Sequence, residues 1–308
     1  MRIAVIKLGA LGDFVQALSP FRTIRAHHEG AHITLITTRP FAALGRATGY
    51  FDAIWDDGRP RTVAAYCALI GRMRRARFDR VYDLQTSTRS GIYFWLLFPR
   101  LPEWSGVVPG CSHPHANPER ITMHTVERQA EQLALAGISD MLPVDLSWEK
   151  SDLSRYALPR PFALLVPGGS VHRPRKRWPA TRYAELAQTL ARAKITPVVL
   201  GASAERALAQ TVTSACPEAR DLVGQTEYQD IVALGREAAF AVGNDTGPMH
   251  LIAAAGAPSL VLFSDESDPA RCAPRGRLVR TLRVSDLGDL PVERVLTEVE
   301  AMKAGRRD

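Results

Sequence analysis

The sequence predicts an α/β protein made of two consecutive doubly wound, Rossmann-like domains. Short β-rich apolar runs alternate with longer helical patterns, which is how βαβ units around a parallel sheet read. The rhythm lapses once, over 139–160, where Pro143 and Pro159 stand among scattered charges as in a linker. It then resumes. A chain of 308 residues suits two domains of ordinary size, so domains of 1–155 and 156–308 are expected.

In the first half, strands are expected at 2–7, 32–37, 52–55, 80–84 and 104–108. Helices are expected at 13–28, 40–47, 62–76, 89–98 and 120–136, the last strongly amphipathic. The second half opens with the strand Phe162-Ala163-Leu164-Leu165-Val166. Further strands are expected at 196–200, 220–223, 239–243 and 258–263, with helices at 180–193, 203–214, 228–236, 248–255 and 291–304. The stretch Thr246 to Ser264 carries no Asp, Glu, Lys or Arg and approaches bilayer-spanning length. Pro248, Gly256 and Pro258 punctuate it, so a buried helix, a turn and a buried strand explain it better.

Hydrophobic residues at 46% and charged residues at 23% exclude a disordered chain. The formal charge of +7 favours anionic partners, whether nucleotides, phosphorylated glycans, anionic lipid surfaces or nucleic acid. Cys67, Cys111, Cys216 and Cys272 lie far apart, without a CxxC pair or a His at ligand spacing. That argues against a zinc site or disulfide framework and for a reducing compartment. The apolar run Ile3 to Ile6 is too short for a signal peptide. A cytoplasmic protein is expected.

Chemistry in doubly wound sheets sits on the loops leaving the carboxyl ends of strands, beside helix N-termini. Three loops qualify. The first is Lys7-Leu8-Gly9-Ala10-Leu11-Gly12-Asp13, where Gly9 and Gly12 permit close approach of a ligand to the backbone. Asp13 reads locally as a helix cap, and the glycine spacing is not the dinucleotide fingerprint. The second, Pro167-Gly168-Gly169-Ser170, continues into His172-Arg173-Pro174-Arg175-Lys176-Arg177-Trp178-Pro179. A Gly-rich turn, a hydroxyl and a run of cations after a strand suit a diphosphate. The third is Gly243-Asn244-Asp245-Thr246-Gly247-Pro248-Met249-His250, between an apolar strand and an apolar helix. The free N–H groups of that helix suit a phosphate, although a plain turn capped by Asp or Thr would read the same way.

Other features carry less. Arg72, Arg74, Arg75, Arg77 and Arg80 read as a solvated basic face, or as a contact with an anionic surface. His113 and His115 lie in a Pro-rich loop and form no metal site alone. No Asp-x-Asp placement after a strand points to a metal held by substrate phosphates. A nucleic-acid binder would interleave aromatics with the basic run, and only Trp178 is there.

Taken together, the loops resemble glycosyltransferase family nine, whose best-known members are the lipopolysaccharide heptosyltransferases. Four segments carry the resemblance, in order: Lys7 to Asp13; His124-Thr125-Val126-Glu127-Arg128; Pro167 to Pro179; and Asp245-Thr246-Gly247 followed by His250-Leu251. The resemblance implies a GT-B fold, with an acceptor-side N-terminal domain and a nucleotide-sugar-binding C-terminal domain facing a central cleft. It implies an inverting, metal-independent transfer without a cofactor, from a nucleotide-sugar donor (an ADP-sugar, typically ADP-heptose) to a glycan or glycolipid hydroxyl. Asp13 matches the general base and Lys176 the charge-stabilising cation. Ser170 and Lys176 match donor-phosphate contacts, Glu205 a nucleotide contact, and Asp245, Thr246, Gly247 and His250 the diphosphate loop. The turns at 9–13, 168–176 and 245–250 are then expected to meet across one gap. A lipid-bearing acceptor and a basic surface imply peripheral contact with an anionic membrane at its cytoplasmic face.

The chain also departs from the family. Pro248-Met249 replaces a more usual Leu-Ser, and Phe263-Ser264-Asp265-Glu266 stands where Phe-Gly or Tyr-Gly-Pro is common. The base and sugar therefore stay open at this point. An enzyme using a UDP- or GDP-sugar, an epimerase, and an inactive sugar-nucleotide- or glycan-binding protein are the alternatives.

Overall fold

The computed structural model describes residues 1–170 and 172–304. The chain divides into two compact units, Met1–Trp148 and a second that begins at Glu149.

The first unit runs β1 (Arg2–Ile6), α1 (Leu11–Gln16), α2 (Leu18–His27), β2 (His32–Ile36), α3 (Arg39–Ala47), β3 (Ala53–Trp55), α4 (Val63–Ala76), β4 (Arg80–Asp83), α5 (Thr88–Leu96), β5 (Glu103–Gly106), β6 (His113–Pro114) and α6 (Thr125–Ala134). Its strands form one sheet in the order β3-β2-β1-β4-β5-β6, and every pairing is parallel. Leu69, Ile70 and Met73 of α4 and Tyr93 and Phe94 of α5 pack with Ala4, Ile6 and Val81 in one buried cluster.

The second unit runs β7 (Phe162–Val166), α7 (Ala180–Arg192), β8 (Thr196–Val199), α8 (Arg206–Ala215), β9 (Arg220–Asp221), α9 (Tyr228–Glu237), β10 (Phe240–Asn244), α10 (Gly247–Ala254), β11 (Ser259–Phe263), α11 (Pro269–Cys272), β12 (Val279–Arg283) and α12 (Val292–Ala304). Its order, β12-β11-β10-β7-β8-β9, repeats the winding of the first sheet. Every residue of β7, β10 and β11 is buried. Helices cover both faces of a parallel sheet, so its central strands are apolar throughout.

The departures from expectation have local causes. The helix expected over 13–28 is two: Pro20 has no N–H for the Gln16 carbonyl, the Ala17 amide bonds back to Phe14, and the chain re-enters the helix at Leu18. The helix expected from 120 begins at Thr125. Before it, Asn117 accepts from the Glu119 amide and opens a short 3₁₀ turn at Pro118–Ile121, and His124 Nδ1 accepts from the Val126 amide at 3.2 Å. Strands β6 and β12 and helix α11 lacked a clear pattern. β12 is an edge strand with only Leu282 buried, so its apolar signal is thin. The uncharged stretch is α10, a turn at Gly256 and β11, and among the described residues no helix is long and apolar enough to cross a membrane.

In each sheet the winding reverses once, between β1 and β4 and between β7 and β10. Loops leaving the two central strands diverge there and open a crevice at the carboxyl edge. The Lys7 to Asp13 loop follows β1. The Pro167 to Ser170 and Asp245 to Gly247 loops follow β7 and β10.

Trp178 sits between these loops and the core, 1% exposed, with its indole N–H donating to the Leu290 carbonyl at 2.8 Å. Trp178→Ala should cost the second unit about 3–5 kcal/mol, read as a lower midpoint in its denaturant transition. An unchanged midpoint would remove Trp178 from the packing that holds the loops.

Candidate active site

At the switch point of the second sheet, the organising group is the side chain of Asn244, the last residue of β10 and fully buried. Its amide nitrogen donates to the carbonyls of Pro167 (2.9 Å) and Gly168 (3.0 Å). Its oxygen accepts from the Trp178 amide at 3.1 Å and lies 3.1 Å from the Tyr183 hydroxyl. One side chain thus joins the loop after β7, the start of α7 and the end of β10.

The next residue carries the charge. Asp245 Oδ2 accepts from Lys176 Nζ at 2.6 Å and from Ser267 Oγ at 2.9 Å. Lys176 and Asp245 keep only 13% and 9% of their side-chain surface exposed, so the pair is shielded from the solvent screening that weakens surface ion pairs. Thr246 then caps α10, with extended backbone and no side-chain cap bond. Its hydroxyl oxygen is buried and has no hydrogen-bond partner among the described residues. In the first turn of α10, Pro248 has no N–H and the Met249 amide donates to the Thr246 carbonyl at 3.1 Å, so the groups that could meet an anion here are the helix end, the buried hydroxyl and the ion-paired ammonium. His250 lies within α10 and is buried.

Glu205 ties the other side of the loop. Its carboxylate accepts from the Gly169 amide at 3.0 Å and the Ala202 amide at 2.9 Å. A Cβ on Gly168 would lie 2.0 Å from that carboxylate and displace it from these amides. Arg177 Nε donates to the Gly169 carbonyl at 3.0 Å. Ser170 is exposed at the end of this turn.

In the first unit, Gly9 has φ +117, and a Cβ there would strike the Phe41 ring at 2.4 Å. Gly12 and Asp13 belong to the first turn of α1, and Asp13 Oδ2 accepts from the Ala10 amide at 3.2 Å. The carboxylate is half-buried, and that local bond leaves it further acceptor capacity. Behind it lies Lys7, buried, its ammonium donating to the Leu84 carbonyl at 3.0 Å. Burial pushes the Lys7 ammonium down to about 8, against the pull of Asp13 and Asp83. Asp83 accepts from the amides of Gln85 (3.1 Å) and Thr86 (2.9 Å). Burial pushes its carboxyl up to about 6, although those bonds and the Lys7 charge oppose the shift. Arg120 donates to Thr86 Oγ1 at 2.7 Å and to His115 Nδ1 at 3.2 Å. Burial and the Arg128 charge lower its own pKa.

The second unit therefore brings Lys176, Asp245, Thr246 and Gly247 together, and separately joins Glu205 to the Gly168-Gly169 turn. Sequence reasoning missed Asn244, Ser267, Asp83 and Arg120. The signal for Asn244 and Asp83 was a polar residue ending an apolar strand; Ser267 and Arg120 had none. Among the described residues, no group of three or more His, Cys, Asp or Glu side chains could hold a metal ion.

Two parallel six-stranded sheets of this winding, one in each unit, are the architecture of the GT-B fold. The sequence profile of glycosyltransferase family 9 (heptosyltransferase) matches residues 66–301, and the chain belongs to that family. It is 26% identical over 354 residues to lipopolysaccharide heptosyltransferase 2 of Escherichia coli K12, covering 98% of each chain. Its fold matches the E. coli ADP-heptose LPS heptosyltransferase II structure with TM-score 0.78 at 24% identity, covering 100% of both chains. It matches E. coli heptosyltransferase WaaC with ADP-2-deoxy-2-fluoro heptose with TM-score 0.74 at 20% identity, over 98% of this chain and 99% of that one.

Asp83 offers a pH test. Its folded pKa, about 6, lies above its ordinary 3.8, so folding favours the protonated acid. That contribution is complete below the ordinary value and is lost as pH rises through about 6. The unfolding free energy of the unsubstituted protein should fall relative to Asp83→Asn across that window and run parallel to it above. A difference independent of pH would contradict the assignment.

Proposed function

We propose that this glycosyltransferase moves a heptose from ADP-heptose onto a hydroxyl of a lipopolysaccharide-type glycan, with inversion and without a metal. The relatives named above are heptosyltransferases, and one was solved with an ADP-heptose analogue. The observation that carries the reading is the Lys176–Asp245 pair beside the unpartnered Thr246 hydroxyl at the start of α10. In this reading these groups form an anion cradle at the start of α10.

In this reading the second unit binds the donor and the first binds the acceptor. Asp13 takes the proton of the acceptor hydroxyl as that oxygen attacks the anomeric carbon. The bond from that carbon to the diphosphate breaks on the opposite face, and ADP departs with the electron pair. Its growing charge is met by the amides of α10, the Thr246 hydroxyl and Lys176, donors already fixed in place. Asp245 holds the ammonium in position, Ser267 holds Asp245, and Ser170 and Gly169 border the same turn. Glu205 keeps that turn in shape and faces the nucleotide side. Gly9 and Gly12 let the acceptor approach the backbone, and His250 supports the diphosphate loop from within α10. Lys7, Arg120 and Arg128 give the first switch point a positive field that suits an acceptor bearing phosphate or carboxylate. The protein would work in the cytoplasm, peripherally at the membrane that anchors such an acceptor.

Among ADP-, GDP- and UDP-sugars, release of nucleoside diphosphate should be fastest with ADP-heptose. Preference for a UDP- or GDP-sugar would overturn the donor assignment. Asp13→Ala should lower turnover about 10²–10⁴-fold with ADP affinity kept; full activity in a folded variant removes Asp13 as the base. Lys176→Ala should weaken ADP about tenfold to a hundredfold by calorimetry, the worth of a charge-assisted bond. Equal affinity would argue against the cradle, and loss of activity in chelator against transfer without a metal.

A further inference from the structure

The reading above leaves one strongly featured surface of the first unit unused. The carboxyl ends of α4 and α5 border a groove of about 590 Å³. Its lining includes Arg74, Arg75, Arg77 and Arg100, with Asp79 the one carboxylate among them. Asp79 is already engaged, accepting from the Arg2 amide at 2.7 Å. Arg75, Arg77 and Arg100 are exposed and carry no ion pair among the described residues. Arg74 braces the surface, donating to the carbonyls of Leu96 (2.7 Å) and Phe98 (3.1 Å) and so fixing the segment that leaves α5.

That segment is apolar and exposed. Phe98 is 66% exposed and Trp95 54%, and Leu96 and Leu101 are exposed beside them. Single exposed hydrophobics are ordinary, whereas several within a few residues mark an interaction site. Neither the cations nor the apolar groups serve the switch points, which lie at the carboxyl ends of the strands. The arginines lie at the opposite edge, where α4 returns the chain to the start of β4.

The chemistry of the patch selects its partner. A second copy docked by two-fold symmetry would set arginine against arginine. Single-stranded nucleic acid would use the cations and stack on Trp95 or Phe98, but it gives aliphatic Leu96 and Leu101 nothing to bury against. An anionic bilayer satisfies all three groups: phosphates meet the guanidinium ions, Trp lies at the headgroup boundary, and the aliphatic and Phe side chains enter the acyl region. We propose that the surface formed by the carboxyl ends of α4 and α5, where exposed Phe98 and Leu101 line one groove with Arg75, Arg77 and Arg100 and exposed Trp95 lies in the last turn of α5, docks the protein on an anionic lipid bilayer. This rests on the peripheral-membrane reading above and gives it a location.

The test is co-sedimentation of the full chain with phosphatidylcholine vesicles, pure or containing about a third phosphatidylglycerol. The protein should pellet with the anionic vesicles, remain free with the neutral ones, and be released by salt. The Arg75→Glu/Arg77→Glu variant should bind the anionic vesicles about tenfold or more weakly, and Trp95→Ser/Phe98→Ser should also lose binding. Both change exposed side chains, so thermal melts and ADP-heptose turnover on a lipid-free acceptor should stay as in the unsubstituted protein. Equal binding to neutral vesicles, or undiminished binding by the charge-reversed variant, overturns the proposal. So does capture of RNA in preference to vesicles, or a dimer dissolved by the Trp95→Ser/Phe98→Ser variant. A lack of donor turnover by the unsubstituted protein counts against heptosyl transfer alone, because vesicle binding is read without substrate.

Discussion

The geometry of the second unit depends on a buried amide. Asn244 has four potential hydrogen-bonding directions, two donating and two accepting, and all four meet partners: the carbonyls of Pro167 and Gly168, the Trp178 amide and the Tyr183 hydroxyl. Those partners belong to the loop after β7 and to the entry and first turn of α7. A buried polar group with every bond satisfied is rigid, because losing any partner leaves an unpaired group in a low dielectric. Next along the chain, Asp245 receives Lys176 and Ser267. The position of the cation is thus inherited from the amide beside it.

Much of the fold was legible because parallel strands covered on both faces write themselves as unbroken apolar runs. Phe162–Val166 and Ser259–Phe263 are such runs, bounded by Pro and Gly. Legibility failed where burial is one-sided or the signal is spatial. Val279–Arg283 pairs along β11, yet Arg280, Thr281 and Arg283 face solvent, so nothing local distinguishes it from a loop. The break at Ala17 is announced only by Pro20, which cannot donate to the Gln16 carbonyl and so fits the first turn of a new helix, and it changes the chain by a single residue.

The candidate site divides the same way. Gly-rich turns and the start of α10 carry local chemistry that a sequence displays. The bond from Lys176 to Asp245 spans 69 positions, and that from Ser267 to Asp245 spans 22. Neither separation leaves a pattern. Asn244 reads as one more turn residue until Pro167, Trp178 and Tyr183 are placed around it. Glu205 is expected as a nucleotide contact only through the family resemblance, and nothing local shows that it bridges the amides of Gly169 and Ala202. Lys7 and Asp83 are hidden for a different cause: each is an ionisable residue at the end of an apolar strand, and only burial reveals its shifted pKa.

The central claim is that the loops after β7 and β10 hold a nucleoside diphosphate through backbone amides arranged beforehand. Titrating ADP into the isotope-labelled protein and following its amide resonances by NMR tests this without a substrate or a substitution. The account predicts that the largest shifts fall on Gly168, Gly169, Thr246 and Gly247, with the edge strand Val279–Arg283 unmoved. Saturable shifts confined to amides away from both loops would contradict it.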